Sequence, residues 1–253
     1  MTEGSRPAPA RRRALLIVLP AAAAFVALVA LAASRSRSNP GDSSRASARA
    51  GSWDWEVTSE GDFEERAVDS RGSRWRIHAA TRGTRPDTVK FLGVRRLGEI
   101  RLGEGTRISA DLDWNSQSNG SGLSAGIVLA PAATSGNPLA TPASLRVEFI
   151  GVPPGKKARM VVAVRESGNE RYLYTEGWPD TNREGRPIGV QRLTLVFEKG
   201  GSFKVLENGG EVYASGPNAL SFDRAHLYLQ MSTRSNYPPR EVFFDNVSVA
   251  GGR

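Results

Sequence analysis

The sequence predicts an all-β domain, an antiparallel sandwich of two sheets, preceded by a single hydrophobic segment. Three observations predict it. From Gln191 to Ser215 the chain reads QRLTLVFEKGGSFKVLENGGEVYAS. Leu193, Leu195 and Phe197 fall on one face and Arg192, Thr194, Val196 and Glu198 on the other, the period of a half-buried strand. Gly200-Gly201 and Asn208-Gly209-Gly210 then break the run, and such residues accept the positive φ of tight hairpin turns, so the stretch reads as a three-stranded meander. Finally, the rest of the chain supplies short strands and no convincing amphipathic helix beyond the N-terminal segment. A meander that is apolar on one face needs a second sheet to cover it.

In order, residues 1–13 form a short basic tail ending in Arg11-Arg12-Arg13, and Ala14 to Ala33 is an uncharged run of twenty. At about 1.5 Å per residue such a run spans about 30 Å, the thickness of a bilayer's hydrocarbon core. It is either a single-pass membrane anchor or a signal peptide cleaved near Ala30-Leu31-Ala32. The compact Arg triplet and the short tail before it favour an N-terminus inside, which puts the remainder of the chain outside the cytoplasm. Residues 34–50, rich in Ser and Arg, read as a flexible linker. The chain carries a net charge of +8, of which residues 1–50 hold +6 and residues 51–253 only +2. A near-neutral body argues against nucleic-acid binding, which needs a basic face on the domain itself.

Residues 51–253 carry the sandwich. Trp53, Trp55 and Val57 share a face of an opening strand. Strands follow at Arg74–Ala80, Val89–Leu97, Arg107–Trp114 and Leu123–Ala130, then at Ser144–Val152, Ala158–Arg165 and Arg171–Thr175. His226–Met231 and Glu241–Val249 close the chain after the meander. Polar or Pro/Gly loops separate them, at residues 115–122, 131–142 and 178–187. No repeat of propeller or solenoid length is present. Cysteine is absent, so no disulfide, thiolate metal site or cysteine nucleophile is available.

The hairpin F-K-V-L-E-N-G-G-E-V, the strand H-L-Y-L-Q and the ending V-F-F-D-N-V-S-V resemble the concanavalin A-like lectin/glucanase jelly roll, including its laminin-G-like modules. The resemblance implies a jelly-roll sandwich and leaves function open, since this fold carries lectins, hydrolases and adhesion modules alike. The same closing strands also resemble bacterial sugar-processing domains of the 3-keto-disaccharide hydrolase type, without carrying a catalytic residue across. Glucanases of this fold place paired carboxylates on one strand as E-x-D-x-x-E. That spacing is missing here: Glu148 stands without a partner on its strand, and Asp111 with Asp113 reads as an exposed face.

Other chemistry is sparse. His78 and His226 are the two histidines, far apart in sequence and without zinc-ligand spacing. No G-x-S-x-G elbow and no phosphate-binding glycine loop occurs. Of metals, only Ca²⁺ has candidate oxygen ligands, at Asp245-Asn246 and at Asp180 and Asn182, and a bulge in the last strand is the simpler account of Asp245. The expectation is therefore a carbohydrate-binding or adhesion module, with a glycan-processing hydrolase of the same fold or a purely structural surface domain as alternatives, and no catalytic residue assigned. Flat rings suited to a sugar face are Tyr172 and Tyr174, expected on one face of a strand, with Tyr228 and, in a loop, Trp178.

Overall fold

The computed structural model describes residues 54–81, 89–114, 123–151, 159–175, 189–233 and 237–251. The apolar run Ala14–Ala33 and the loop bearing Trp178, Asp180 and Asn182 lie outside these residues. No described helix is long and apolar enough to cross a membrane. The described residues all belong to the unit Arg45–Arg253.

Among the described residues fifteen strands form, in chain order: β1 (Trp55–Glu60), β2 (Glu65–Arg71), β3 (Arg74–Thr81), β4 (Lys90–Arg96), β5 (Ile100–Arg101), β6 (Arg107–Trp114), β7 (Leu123–Ala130), β8 (Ser144–Ile150), β9 (Arg159–Glu166), β10 (Asn169–Thr175), β11 (Gly189–Phe197), β12 (Phe203–Glu207), β13 (Gly210–Ala214), β14 (Arg224–Thr233) and β15 (Tyr237–Ala250). They make two antiparallel sheets. The first runs β1-β4-β14-β7-β8-β9-β10, with β5 added on β14, and the second runs β13-β12-β11-β6-β15-β3-β2.

Alternation decides what each strand buries. Leu193, Leu195 and Phe197 enter the core from β11, opposite Ile108, Ala110 and Leu112 from β6. From the first sheet, Leu145, Val147 and Phe149 of β8 and Leu227, Leu229 and Met231 of β14 meet them. The meander forms as its glycines require. Asn208 and Gly209, at φ +51° and +86°, make the turn between β12 and β13. Asn208 also accepts a bond from the Arg192 amide at 2.8 Å, which ties the turn back to β11.

The closing strand β15 lies between β6 and β3, and the opening strand β1 sits in the other sheet. Asp245 occupies a bulge of β15, where pairing with β6 shifts and Asn246 takes φ +48°. Strand β2 has no counterpart in the sequence reading, because ERAVDSR carries little apolar period and is a mostly exposed edge.

The sheets differ in one respect that positions the site. In the second, the outward residues are mostly charged and solvated. In the first, β7 is buried on both faces along its whole length, and β4, β8, β9 and β14 nearly so.

Candidate functional site

The outer face of the first sheet can be read as rows of residues in cross-strand register. One row runs Thr58, Gly93, Gln230, Gly126, Glu148 and Val161. The next runs Glu56, Arg95, Tyr228, Val128, Arg146, Ala163 and Tyr172. Their neighbours along each strand, such as Val147 and Leu229, point into the core, so these residues point away from it.

Glu148 is wholly buried, yet its carboxylate is held on this outer face. Oε1 accepts a bond from Arg146 Nη1 at 2.5 Å and Oε2 accepts one from Gln230 Nε2 at 2.8 Å. Gln230 crosses to it over Gly126, and there only glycine fits. A Cβ at Gly126 would lie 2.2 Å from the Val147 carbonyl oxygen and 2.5 Å from the Glu148 Cα. Burial pushes the Glu148 carboxyl above the usual carboxylate range, while Arg146 and the Gln230 amide pull it back. Arg146 then reaches outward. Its Nη2 donates to the Tyr172 hydroxyl at 3.1 Å and pairs with Glu170 Oε1 at 2.8 Å, and its guanidinium lies 5.3 Å from the Tyr172 ring centre. Arg146 thus joins two carboxylates from different strands beneath an exposed ring.

Hydrogen-bonding capacity left unused collects on the same face. Thr58 Oγ1, Arg95 Nε, Arg146 Nε and Gln230 Oε1 of these rows are buried without a partner, as are Arg165 Nε and His226 Nδ1, which alternation along β9 and β14 puts on the same face. Buried polar atoms are almost always satisfied, so six orphans on one face single it out from the rest of the domain. Burial, helped by Arg95, holds the His226 imidazole below its ordinary value. An open pocket of about 310 Å³ at one end of the sandwich, lined by Leu102, Phe197, Leu220, Phe222 and Asp223 among others, contains none of these six atoms.

The four rings named from sequence separate. Tyr172 is 56 % exposed on the outer face beside Arg146. Tyr174 does not share that face: the register of β10 on β9 shifts between the two tyrosines, and Tyr174 turns to the core and packs on Tyr213 at 6.1 Å. Tyr228 lies on the outer face but is completely buried, its hydroxyl accepting from the Thr134 amide at 3.0 Å and donating to the Ala132 carbonyl at 3.2 Å. Its ring has no open face for a sugar. Trp178 lies outside the described residues.

Asp111 and Asp113 stand on the outer face of the second sheet, spent on Arg192 at 2.9 Å and Arg74 at 2.7 Å. Asp245 accepts bonds from Ser73 and from the Asn246 amide. Among the described residues no group of three or more His, Asp or Glu is placed to hold a metal ion.

Comparison with solved structures settles the fold. A β-1,3-glucanase from Mycobacterium marinum superposes with a TM-score of 0.50 at 13 % identity, covering 79 % of this chain and 92 % of that one. A glycosyl hydrolase family 16 protein from Mycobacterium smegmatis gives 0.50 at 13 %, over 78 % and 91 %. A structure described with the endo-acting O-glycanases of human gut microbiota gives 0.52 at 12 %, over 78 % and 91 %. The described domain shares the antiparallel jelly-roll sandwich fold of these structures. No protein-family model and no curated protein matches the sequence. Within the jelly roll, Arg146, Glu148 and Gln230 are what the sequence reading missed. The available signal was the placement of R-V-E and of L-Q among residues that otherwise read as core.

Proposed function

We propose that this jelly roll binds carbohydrate on the outer face of its first sheet, and that the segment Ala14–Ala33 tethers it to the membrane outside the cytoplasm. One observation carries the binding reading: Tyr172 stands exposed over Arg146 at the rim of a face that holds six unpartnered buried polar atoms. They combine N–H donors, a carbonyl acceptor and groups that do both, which suits hydroxyl-bearing ligands. The exposed ring of Tyr172 at the rim offers the flat apolar surface on which a pyranose stacks. The similarity to glycan-processing enzymes of this fold supports the same reading.

Full-length protein in a sugar-free detergent, presented to a glycan array, tests it. Binding is expected, and Tyr172→Ala should weaken it on the order of tenfold through the lost ring contact. Absence of binding, or binding unchanged in that variant, contradicts the assignment. For the tether, a C-terminally tagged chain should stay with the membrane fraction at full mass.

Glycan hydrolysis is a second reading, favoured by the pair Glu148 and Glu170 joined through Arg146. It requires sugar release that Glu148→Gln abolishes while leaving glycan binding in place.

A further inference from the structure

The segment Pro131–Ala143, between β7 and β8, does not hang free. Ser135 accepts a bond from the Ser59 amide of β1 at 3.1 Å, and the Asn137 amide donates to Glu60 Oε2 at 2.9 Å. The Thr134 amide donates to the Tyr228 hydroxyl of β14 at 3.0 Å. Leu139 packs on the buried cluster Phe91, Val128, Ala130 and Tyr228, and its carbonyl accepts from Arg165 of β9 at 2.9 Å. The chain thus leaves β7, crosses the outer face to the β1 edge, and returns to β8. It is stiffened from within, because Asn137 Oδ1 caps the Leu139 amide at 2.9 Å and Thr141 Oγ1 donates to the Pro138 carbonyl at 2.6 Å.

We infer that this strap closes one end of the binding face, so that the site takes the end of a glycan chain and not an internal stretch. The inference rests on the carbohydrate reading above. A polymer bound through its interior must enter and leave along the face. On the β1, β4 and β14 side the way out is shut: Thr58, Phe91 and Tyr228 are fully buried, and the strap is pinned to both Ser59 and Glu60. On the β8 to β10 side Arg146, Ile150 and Arg165 are partly exposed and Tyr172 is open, so the face reaches solvent there. A terminal sugar then abuts the strap where Arg165 donates to the Leu139 carbonyl, while the rest of the chain leaves past Tyr172.

The test is calorimetry on the full-length protein with laminari-, cello- and N-acetylchito-oligosaccharides of two to six units, followed by laminarin, hydroxyethyl cellulose and glycol chitosan. An end-binding site predicts a molar Kd that changes less than twofold from three to six units, and one protein bound per polymer chain. A Kd that tightens steadily with length, with several proteins per polymer, overturns the inference and leaves carbohydrate binding standing. No binding by any probe overturns the carbohydrate reading itself, and this inference with it. Replacing Ser135–Ala140 by a short Gly-Ser link should convert single occupancy to several proteins per polymer. If that variant does not fold, the length series on the unaltered protein decides alone.

Discussion

At Glu148 two effects oppose each other. Burial raises the carboxyl's pKa, so the folded chain holds that proton more tightly than the unfolded one. Its contribution to stability is therefore complete below the ordinary carboxylate range and is lost as pH rises through the folded value. Arg146, 12 % exposed at its side chain, keeps the loss small at neutral pH. Replacing Arg146 by Leu leaves a buried charge without its partner and should cost about 3–5 kcal/mol at pH 7.5. The deficit should shrink at about pH 4.5, where protonation removes the charge, as urea midpoints at the two pH values will show. Glu241 has the opposite sign. Arg76, donating through Nε at 2.9 Å, holds its carboxyl below the usual range, so its stabilisation is present above that range and is lost as pH falls through the depressed value. Because both side chains are partly exposed, Glu241→Gln should cost under about 1 kcal/mol at pH 7 and nothing at about pH 2.

At the scale of the strand, the sequence told more about the core than about the site. Period-two alternation placed β6 and β7 at their observed bounds, and the glycine turns placed β11 to β13. Alternation says which residues share a face of one strand. It does not say which residue on the next strand stands beside them, and the site is a matter of that register. Glu148 looked solitary because its companions Gln230 and Glu170 come from β14 and β10, 82 and 22 positions away in the chain. Tyr174 was misplaced for a related reason, since a bulge in β10 breaks the period between it and Tyr172. The strap was legible as a loop, and its path across the sheet was not. Gly126 makes the register testable. Gly126→Ala forces a Cβ against the backbone of β8 and should cost more than about 3 kcal/mol, whereas Gly103→Ala, with nothing within 4 Å, should stay within about 0.5 kcal/mol. Thermal melts of the two variants distinguish a required close approach from a general aversion to alanine.

Over the whole domain, the two sheets divide the work. The second turns ion pairs such as Arg74–Asp113 and Arg192–Asp111 to solvent, where each adds little stability. The first buries much of both its faces and carries most of the unsatisfied polar atoms. The central claim is that carbohydrate binds on that face. Hydrogen–deuterium exchange on the full-length protein, with and without the strongest glycan from the array, tests it most directly. The account predicts protection in β8 and β10 and in the strap Pro131–Ala143, with the loops of the second sheet unchanged. Protection confined to the second sheet, or to the pocket beside Phe222, would place the ligand elsewhere and contradict it.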